Sequence, residues 1–157
     1  VPDQIAFHSH DHACCTGDVL GYADQCARED GLRLTPVRRR ALEILLENHR
    51  AMGAYDVLER LAQDGFGDQP PVSYRALDFL VENGFAHKIS RLNAYAACMH
   101  PETDHAPVFM ICSKCDAVAE AVAGDVGDAI RGAAKAAKFV VERMNIEVLG
   151  LCPRCAQ

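Results

Sequence analysis

Two Cys-x-x-Cys knuckles, Cys112/Cys115 and Cys152/Cys155, stand in the last third of the chain. Thiolates are soft donors, and four of them make the tetrahedral cage that zinc prefers. Each knuckle is a tight turn that aims both sulfurs at one point. Closing two distant knuckles on one ion pins the segment between them into a compact unit. The same pairs could form disulfides or act as redox motifs, but two facing knuckles fit a metal better than thioredoxin-like chemistry. The expectation is one fixed zinc in a four-sulfur site. A second group, His8, His10, His12, Cys14 and Cys15, sits near the start. Such a tract either binds an extra zinc weakly or is a tail whose histidines are incidental.

The totals narrow the classes. A chain of 157 residues makes one medium domain or two small ones, and half of it is hydrophobic, which is enough for a core. No apolar run approaches a membrane helix in length. Val1 to Phe7 lacks the basic region and apolar stretch of a secretory signal. Eight cysteines without an export signal point to a reducing, cytoplasmic setting and to metal ligands. The net charge of −6 argues against a protein that coats nucleic acid non-specifically, so any DNA binding must use a local basic patch. A zinc enzyme would need three protein ligands, an open position and a nearby general acid or base. The deaminase signature is absent, because Pro153 falls inside its knuckle.

The elements that must position these residues follow from periodicity and punctuation. The first 15 residues read as an arm. Leu20, Ala23 and Ala27 suggest a helix from Asp18 to Asp30, closed by Gly31. Thr35-Pro36 is a helix start, followed by Ala41, Ile44, Leu45 and Asn48 at helical spacing. Gly53 can open a third helix with Val57, Leu58 and Leu61 as its buried stripe. Ser73 would cap a fourth, with Ala76, Leu77, Leu80 and Val81 inward and Asn83-Gly84 as its stop. Two short strands follow, Phe85 to Ser90 and Ala94 to Cys98, joined by Arg91-Leu92-Asn93. Short helices and then a hairpin are the layout of a winged helix-turn-helix, in which the helix before the hairpin enters the major groove. His100 to Pro107 reads as a hinge. Beyond it come strands at Val108 to Ile111 and Ala117 to Ala121, a helix from Asp125 to Ala137, and one or two strands within Phe139 to Leu151. A unit of about 50 residues is poorly supported by its own core, and a four-sulfur zinc would make up the difference.

Several segments, in order, resemble the ferric-uptake-regulator (Fur) family, most closely its zinc-uptake-regulator branch. They are Leu32-Arg33-Leu34-Thr35-Pro36-Val37-Arg38, Ala54-Tyr55-Asp56-Val57-Leu58 and Pro70 through Leu80, which includes Ser73-Tyr74-Arg75-Ala76-Leu77-Asp78. Gly84-Phe85-Ala86-His87-Lys88, Ile111-Cys112-Ser113-Lys114-Cys115 and Gly150-Leu151-Cys152-Pro153-Arg154-Cys155 continue the series. The resemblance spans roughly residues 18–157, and its ordering gives it specificity. It departs locally: Val72-Ser73 replaces the usual Thr-Val, and Gly53 stands where a polar cap is common.

The resemblance implies an α+β protein with four segments: an arm at 1–15, a winged-helix DNA-binding domain at 16–99, a hinge at 100–107, and an α/β dimerisation domain with the four-cysteine zinc at 108–157. It further implies a regulatory zinc held by His87, Cys98, His105 and Glu120, so two zinc ions per monomer. A thiolate among these ligands favours zinc over manganese and over harder oxygen-rich sites. Taken alone, Cys98 could be a small buried hydrophobe and Glu120 an exposed strand residue. His100 competes with His105, whose distance to the first knuckle matches the family. Tyr55, Tyr74 and Arg75 are the implied DNA contacts, Arg75 offering a fork suited to guanine O6 and N7. Arg33, Arg38, Arg39 and Arg40 form the densest basic cluster, able to grip phosphates or merely to solvate a helix face. Residues 16–92 hold 10 Lys and Arg against 12 Asp and Glu, a net −2, so local placement must carry any DNA binding.

The expected function is a cytoplasmic, homodimeric, zinc-responsive repressor. It would bind palindromic double-stranded DNA operators of zinc-uptake genes, with zinc as co-repressor. No enzymatic activity, small-molecule substrate or membrane association is expected. The alternative is a Fur-family sensor of iron, manganese or peroxide, and Cys98 among the ligands speaks against it.

Overall fold

Proline and glycine set the helix boundaries of the first unit. The structure, a computed structural model, describes residues 12–47, 50–103 and 105–157. His8 and His10 lie outside the described residues, as do the side chains of His12, Cys14 and Cys15. Helix α1 (His12–Glu29) starts before the expected Asp18. Gly17 does not stop it. That glycine is on the exposed side, and one Gly in a helix costs about 1 kcal/mol against Ala. Packing of Val19 and Ala23 outweighs this cost. The inward stripe is Val19 and Ala23, with Leu20, Tyr22 and Cys26 partly buried against the core and Tyr22 tilted against Phe85; the expected Leu20 and Ala23 pack there, while Ala27 does not join them. Gly31, at φ 68°, ends the segment.

Helix α2 (Pro36–Leu46) opens on extended Thr35 followed by Pro36, and buries Ala41, Leu42, Ile44, Leu45 and Leu46. The expected Asn48 lies outside the described residues. Helix α3 (Ala54–Gln63) buries Ala54, Val57, Leu58 and Leu61. Its cap is supplied by Asp56, whose carboxylate accepts a 3.2 Å hydrogen bond from the Gly53 N–H. A Cβ on Gly53 would meet that carboxylate at 3.2 Å, so glycine here lets Asp56 close on the backbone. Helix α4 (Pro70–Glu82) corrects one expectation. Ser73 does not cap it but lies inside, 1% exposed, its hydroxyl donating to the Pro70 carbonyl at 3.2 Å. Pro70 and Pro71 start the helix because the first turn needs no N–H from them.

Strands β1 (Ala86–Ile89) and β2 (Ala94–Ala97) pair antiparallel, from Ala86 opposite Ala97 to Ile89 opposite Ala94. A single 3-10 turn, Ser90–Leu92, joins them, with Asn93 in the left-handed region at φ 46°. Met52 and Tyr95 exchange two backbone hydrogen bonds of 2.8 Å. The hairpin is thereby fastened to the segment that leads into α3. Leu42, Ile44, Leu45, Val57, Leu61, Leu77, Leu80 and Phe85 form the core of this unit.

The chain divides at Glu102, and Thr103–Gln157 belong to a second unit. The division falls within residues 100–107, the stretch the sequence marks as a hinge. The second unit contains β3 (Pro107–Cys112), β4 (Val118–Val122), α5 (Asp125–Ala136) and β5 (Ile146–Gly150). The strand order is β4-β3-β5, with β4 antiparallel and β5 parallel to β3. Phe109 is fully buried, with Ile111, Val118 and Ala119 nearly so. No helix among the described residues is long and apolar enough to cross a membrane.

Leu77 is fully buried in α4, among α2 and α3 side chains of one core. Leu77→Ala should destabilise the first unit by about 2–5 kcal/mol. Urea denaturation followed by circular dichroism measures this directly.

Candidate functional site

The parallel pairing of β3 with β5 brings the two knuckles together. Cys112, the last residue of β3, is in register with Gly150, the last of β5, so both strands deliver their Cys-x-x-Cys turns at the same edge of the sheet. Ser113 fastens the turns by donating to the Gly150 carbonyl through its N–H at 2.9 Å and its hydroxyl at 3.2 Å. Asp116, at φ 57°, closes the first knuckle with its N–H on the Cys112 carbonyl, 2.9 Å away. In the second, the Cys155 N–H reaches the Cys152 carbonyl at 2.9 Å. All four sulfurs lie within 4.8 Å of one another, and Cys115 and Cys152 are 3.7 Å apart. A tetrahedral zinc with Zn–S of about 2.3 Å separates its sulfurs by about 3.8 Å. The donor set and its spacing fit zinc.

Thiols so crowded cannot all ionise alike. A hydrogen bond from the Cys152 backbone, joined by those of Lys114 and Cys115, lowers the Cys112 pKa to about 6. Side-chain hydrogen bonding with Cys152 and Cys115 pushes the Cys155 thiol up to about 12. A divalent cation bound among them would stabilise the thiolate form of all four.

The other expected ligands form a close pair in each unit. In the second unit, His105 precedes β3 and Glu120 lies on β4 opposite Phe109. His105 Nε2 is 3.0 Å from Glu120 Oε1, their side chains only 7% and 10% exposed. Its Nδ1 lies 2.9 Å from the Thr103 carbonyl. An Nδ1–H donated there orients the ring and leaves Nε2 as the ligand atom. In the first unit, His87 is on β1 and Cys98 follows β2, its N–H donating to the Phe85 carbonyl at 2.8 Å. Their ligand atoms lie within 4.8 Å of each other, and Cys98 is fully buried. His100 is instead exposed, 3.9 Å from Glu102.

The basic cluster separates into balanced and unbalanced cations. Arg39 binds Asp24 at 3.1 Å and also Glu43. Arg40 bridges Asp64 at 2.6 Å, Glu47 at 3.1 Å and Glu43 at 3.3 Å. Hydrogen bonding to Asp24 and Asp64, respectively, raises these two guanidinium pKa values above the usual arginine range. Arg33 and Arg75 make no ion pair among the described residues. Arg38 lies 3.9 Å over the Phe79 ring and donates to the Arg33 carbonyl at 2.6 Å. Tyr55 and Tyr74, 65% and 39% exposed, meet edge-to-face at 6.4 Å, beside exposed Arg75. Sequence reasoning missed Phe79 as a platform. Spacing along the chain could not reveal it, because Arg38 is on α2 and Phe79 on α4.

Comparison with known proteins places residues 29–149 in the Ferric uptake regulator family. The Zinc uptake regulation protein of Escherichia coli (strain K12) is 35% identical over 143 residues, 90% of this chain and 84% of that protein. The solved structure of a Zinc Uptake Regulator complexed with zinc and DNA has a TM-score of 0.84 and 35% identity, covering 90% of this chain and 95% of that one. The holo XcZur crystal structure gives 0.80 and 37%, covering 89% and 98%.

If the four sulfurs hold a structural zinc, Cys112→Ser and Cys155→Ser should each melt the second unit and lower its zinc content, because the sheet there has little other core. Thermal denaturation and zinc content by atomic absorption check this. A variant with unchanged melting and unchanged zinc would mean the four sulfurs do not hold the metal.

Proposed function

The chain belongs to the ferric uptake regulator family, and from that premise we propose that it is a zinc-responsive repressor of zinc-uptake genes, with zinc as co-repressor. It is a transcription regulator and not an enzyme. It acts in the cytoplasm as a homodimer on palindromic DNA. Each monomer binds two zinc ions. Cys112, Cys115, Cys152 and Cys155 hold the fixed one, and His87, Cys98, His105 and Glu120 hold the removable one.

The observation that carries this reading is the His87/Cys98 pair at the base of the wing. A soft thiolate and an imidazole, close together and next to a DNA-reading helix, suit zinc better than manganese or iron. The His105/Glu120 pair supplies the complementary half. Metal shared by both pairs would join the DNA-binding unit to the dimerisation unit. In a dimer this fixes the separation of two recognition helices, which must match half-sites about one helical turn apart. Zinc binds the joined form better, and that difference in affinity is the whole of the coupling. The edge strand β5, with Val148 and Leu149 half-exposed, and α5, with Ile130 and Val126 exposed, supply apolar surface for the partner protomer.

Arg75 stands exposed on α4 beside Tyr74 and reads a guanine. Arg75→Ala should weaken specific operator binding by about 1–3 kcal/mol per monomer and leave zinc content and dimerisation unchanged. Fluorescence anisotropy with a duplex selected from a random pool by the wild-type protein measures the loss. Normal affinity would remove Arg75 from the recognition surface.

Cys98→Ser replaces a soft thiolate with a weakly coordinating hydroxyl. The variant should stay dimeric, keep one zinc per monomer, lose the chelator-labile one, and bind the operator equally with and without added zinc. His87→Ala should behave alike, and Glu120→Ala more mildly, since water can fill the vacated position. A Cys98→Ser protein that still holds two zinc ions and still responds to zinc would refute the proposed sensing site.

A further inference from the structure

A groove of about 520 Å³ opens in the first unit between the start of α2 and the start of α4. Its lining combines Arg33, Arg38 and Arg75 with an apolar wall that includes Phe66 and Val72. These are the arginines of the region that no carboxylate balances among the described residues. The neighbouring Arg39 and Arg40 are committed to Asp24, Glu43, Glu47 and Asp64. Positive charge is thus gathered at one concave place in a unit whose sequence is acidic on average.

Arg38 is held there in advance. One face of its guanidinium covers the Phe79 ring, and one N–H is fixed on the Arg33 carbonyl. A planar guanidinium stacked on an aromatic ring keeps its remaining N–H edge for a bidentate acceptor. Its rotamers are already restricted, so little entropy is lost when the acceptor arrives. A phosphate oxygen pair is the acceptor such a fork suits, and the groove borders the helix that carries Arg75.

We propose that this groove seats one backbone phosphate of duplex DNA per protomer, held by Arg33 and Arg38, and that Phe79 is the positioning residue that aims Arg38. The inference rests on the DNA-binding reading above and deepens it. Arg75 and Phe79 lie one turn apart on α4, so the base reader and the phosphate seat are fixed to one rigid element. The phosphate sets how far Arg75 enters the groove of the DNA, and the base then decides whether it bonds. Arg38 serves the backbone contact and carries no sequence information.

The test uses the zinc-loaded full chain with two fluorescent duplexes, one of mixed sequence and one selected by the wild-type protein. Binding is measured across a salt series. Arg33→Ala and Arg38→Ala should each lower affinity by the same factor on both duplexes and reduce the salt slope by about one per protomer. Arg39→Ala, a cation already balanced, should leave the slope unchanged. Phe79→Leu should lower the slope as Arg38→Ala does, and Phe79→Tyr, which keeps the platform, should restore it. Melting temperatures of all variants separate loss of contact from loss of fold. An unchanged slope for Arg38→Ala, or an equal loss for Arg39→Ala, overturns the phosphate seat. A Phe79→Leu protein with lower melting temperature but unchanged slope overturns the positioning role. If the wild-type protein enriches no duplex from the random pool and does not bind the mixed-sequence duplex, the DNA reading itself fails and this inference falls with it.

Discussion

The parallel adjacency of β3 and β5 is the constraint on which the second unit depends. This unit buries few large side chains, Phe109 and Ile111 foremost. A sheet of three short strands and one helix so poor in core is marginal by itself. Because Cys112 and Gly150 are in register, the chain leaves both strands at the same level, and the four sulfurs converge without any long loop. A cross-link there joins β3 to the segment that follows β5 and fixes the sheet order at once. A zinc held by these four sulfurs would belong to folding and stay in place, which would leave regulation to the harder, mixed nitrogen, oxygen and sulfur ligands proposed elsewhere.

The pair proposed for sensing and the surface proposed for DNA reading are connected in the first unit through the wing. His87 and Cys98 lie at the base of the hairpin, and the Met52–Tyr95 bridge ties that hairpin to the entry of α3. Tyr55, at the start of α3, touches Tyr74 on α4. An event at the wing is therefore never far, in packed contacts, from the surface proposed to read DNA. Electrostatics follows the same economy. The ion pairs of Arg39, Arg40 and Arg60 brace α1, α2 and α3, while the unbalanced arginines gather beside α4. A chain of net charge −6 can in this way present a local cationic surface without attracting nucleic acid generally.

Most of the fold could be read from punctuation and periodicity. Thr35-Pro36, Gly53 and Gly84 mark boundaries because their backbone preferences are local, and the structure keeps each of them. The cysteine knuckles were legible for the same reason, since thiol chemistry and spacing need no tertiary context. The misreadings occurred where packing overrides local preference. Ser73 resembles a cap, yet the Pro70-Pro71 pair starts the helix earlier and buries it. Helix α1 continues through Gly17 because its stripe packs on the core. The division of the arginines into balanced and unbalanced sets was beyond the sequence, because Asp24 and Asp64 lie far along the chain from Arg39 and Arg40. The quartet proposed for sensing drew its meaning from the resemblance, and in each unit two of its members form a close pair.

In the proposed mechanism the removable zinc and the operator favour one and the same form of the protein. Linkage makes this measurable from either side. The affinity of the labile site for zinc should be titrated, with a competing chelator dye, in the absence of DNA and in the presence of saturating selected duplex. Bound duplex should raise the zinc affinity, and by the same factor by which zinc raises duplex affinity. An unchanged zinc affinity in the presence of bound duplex would contradict it.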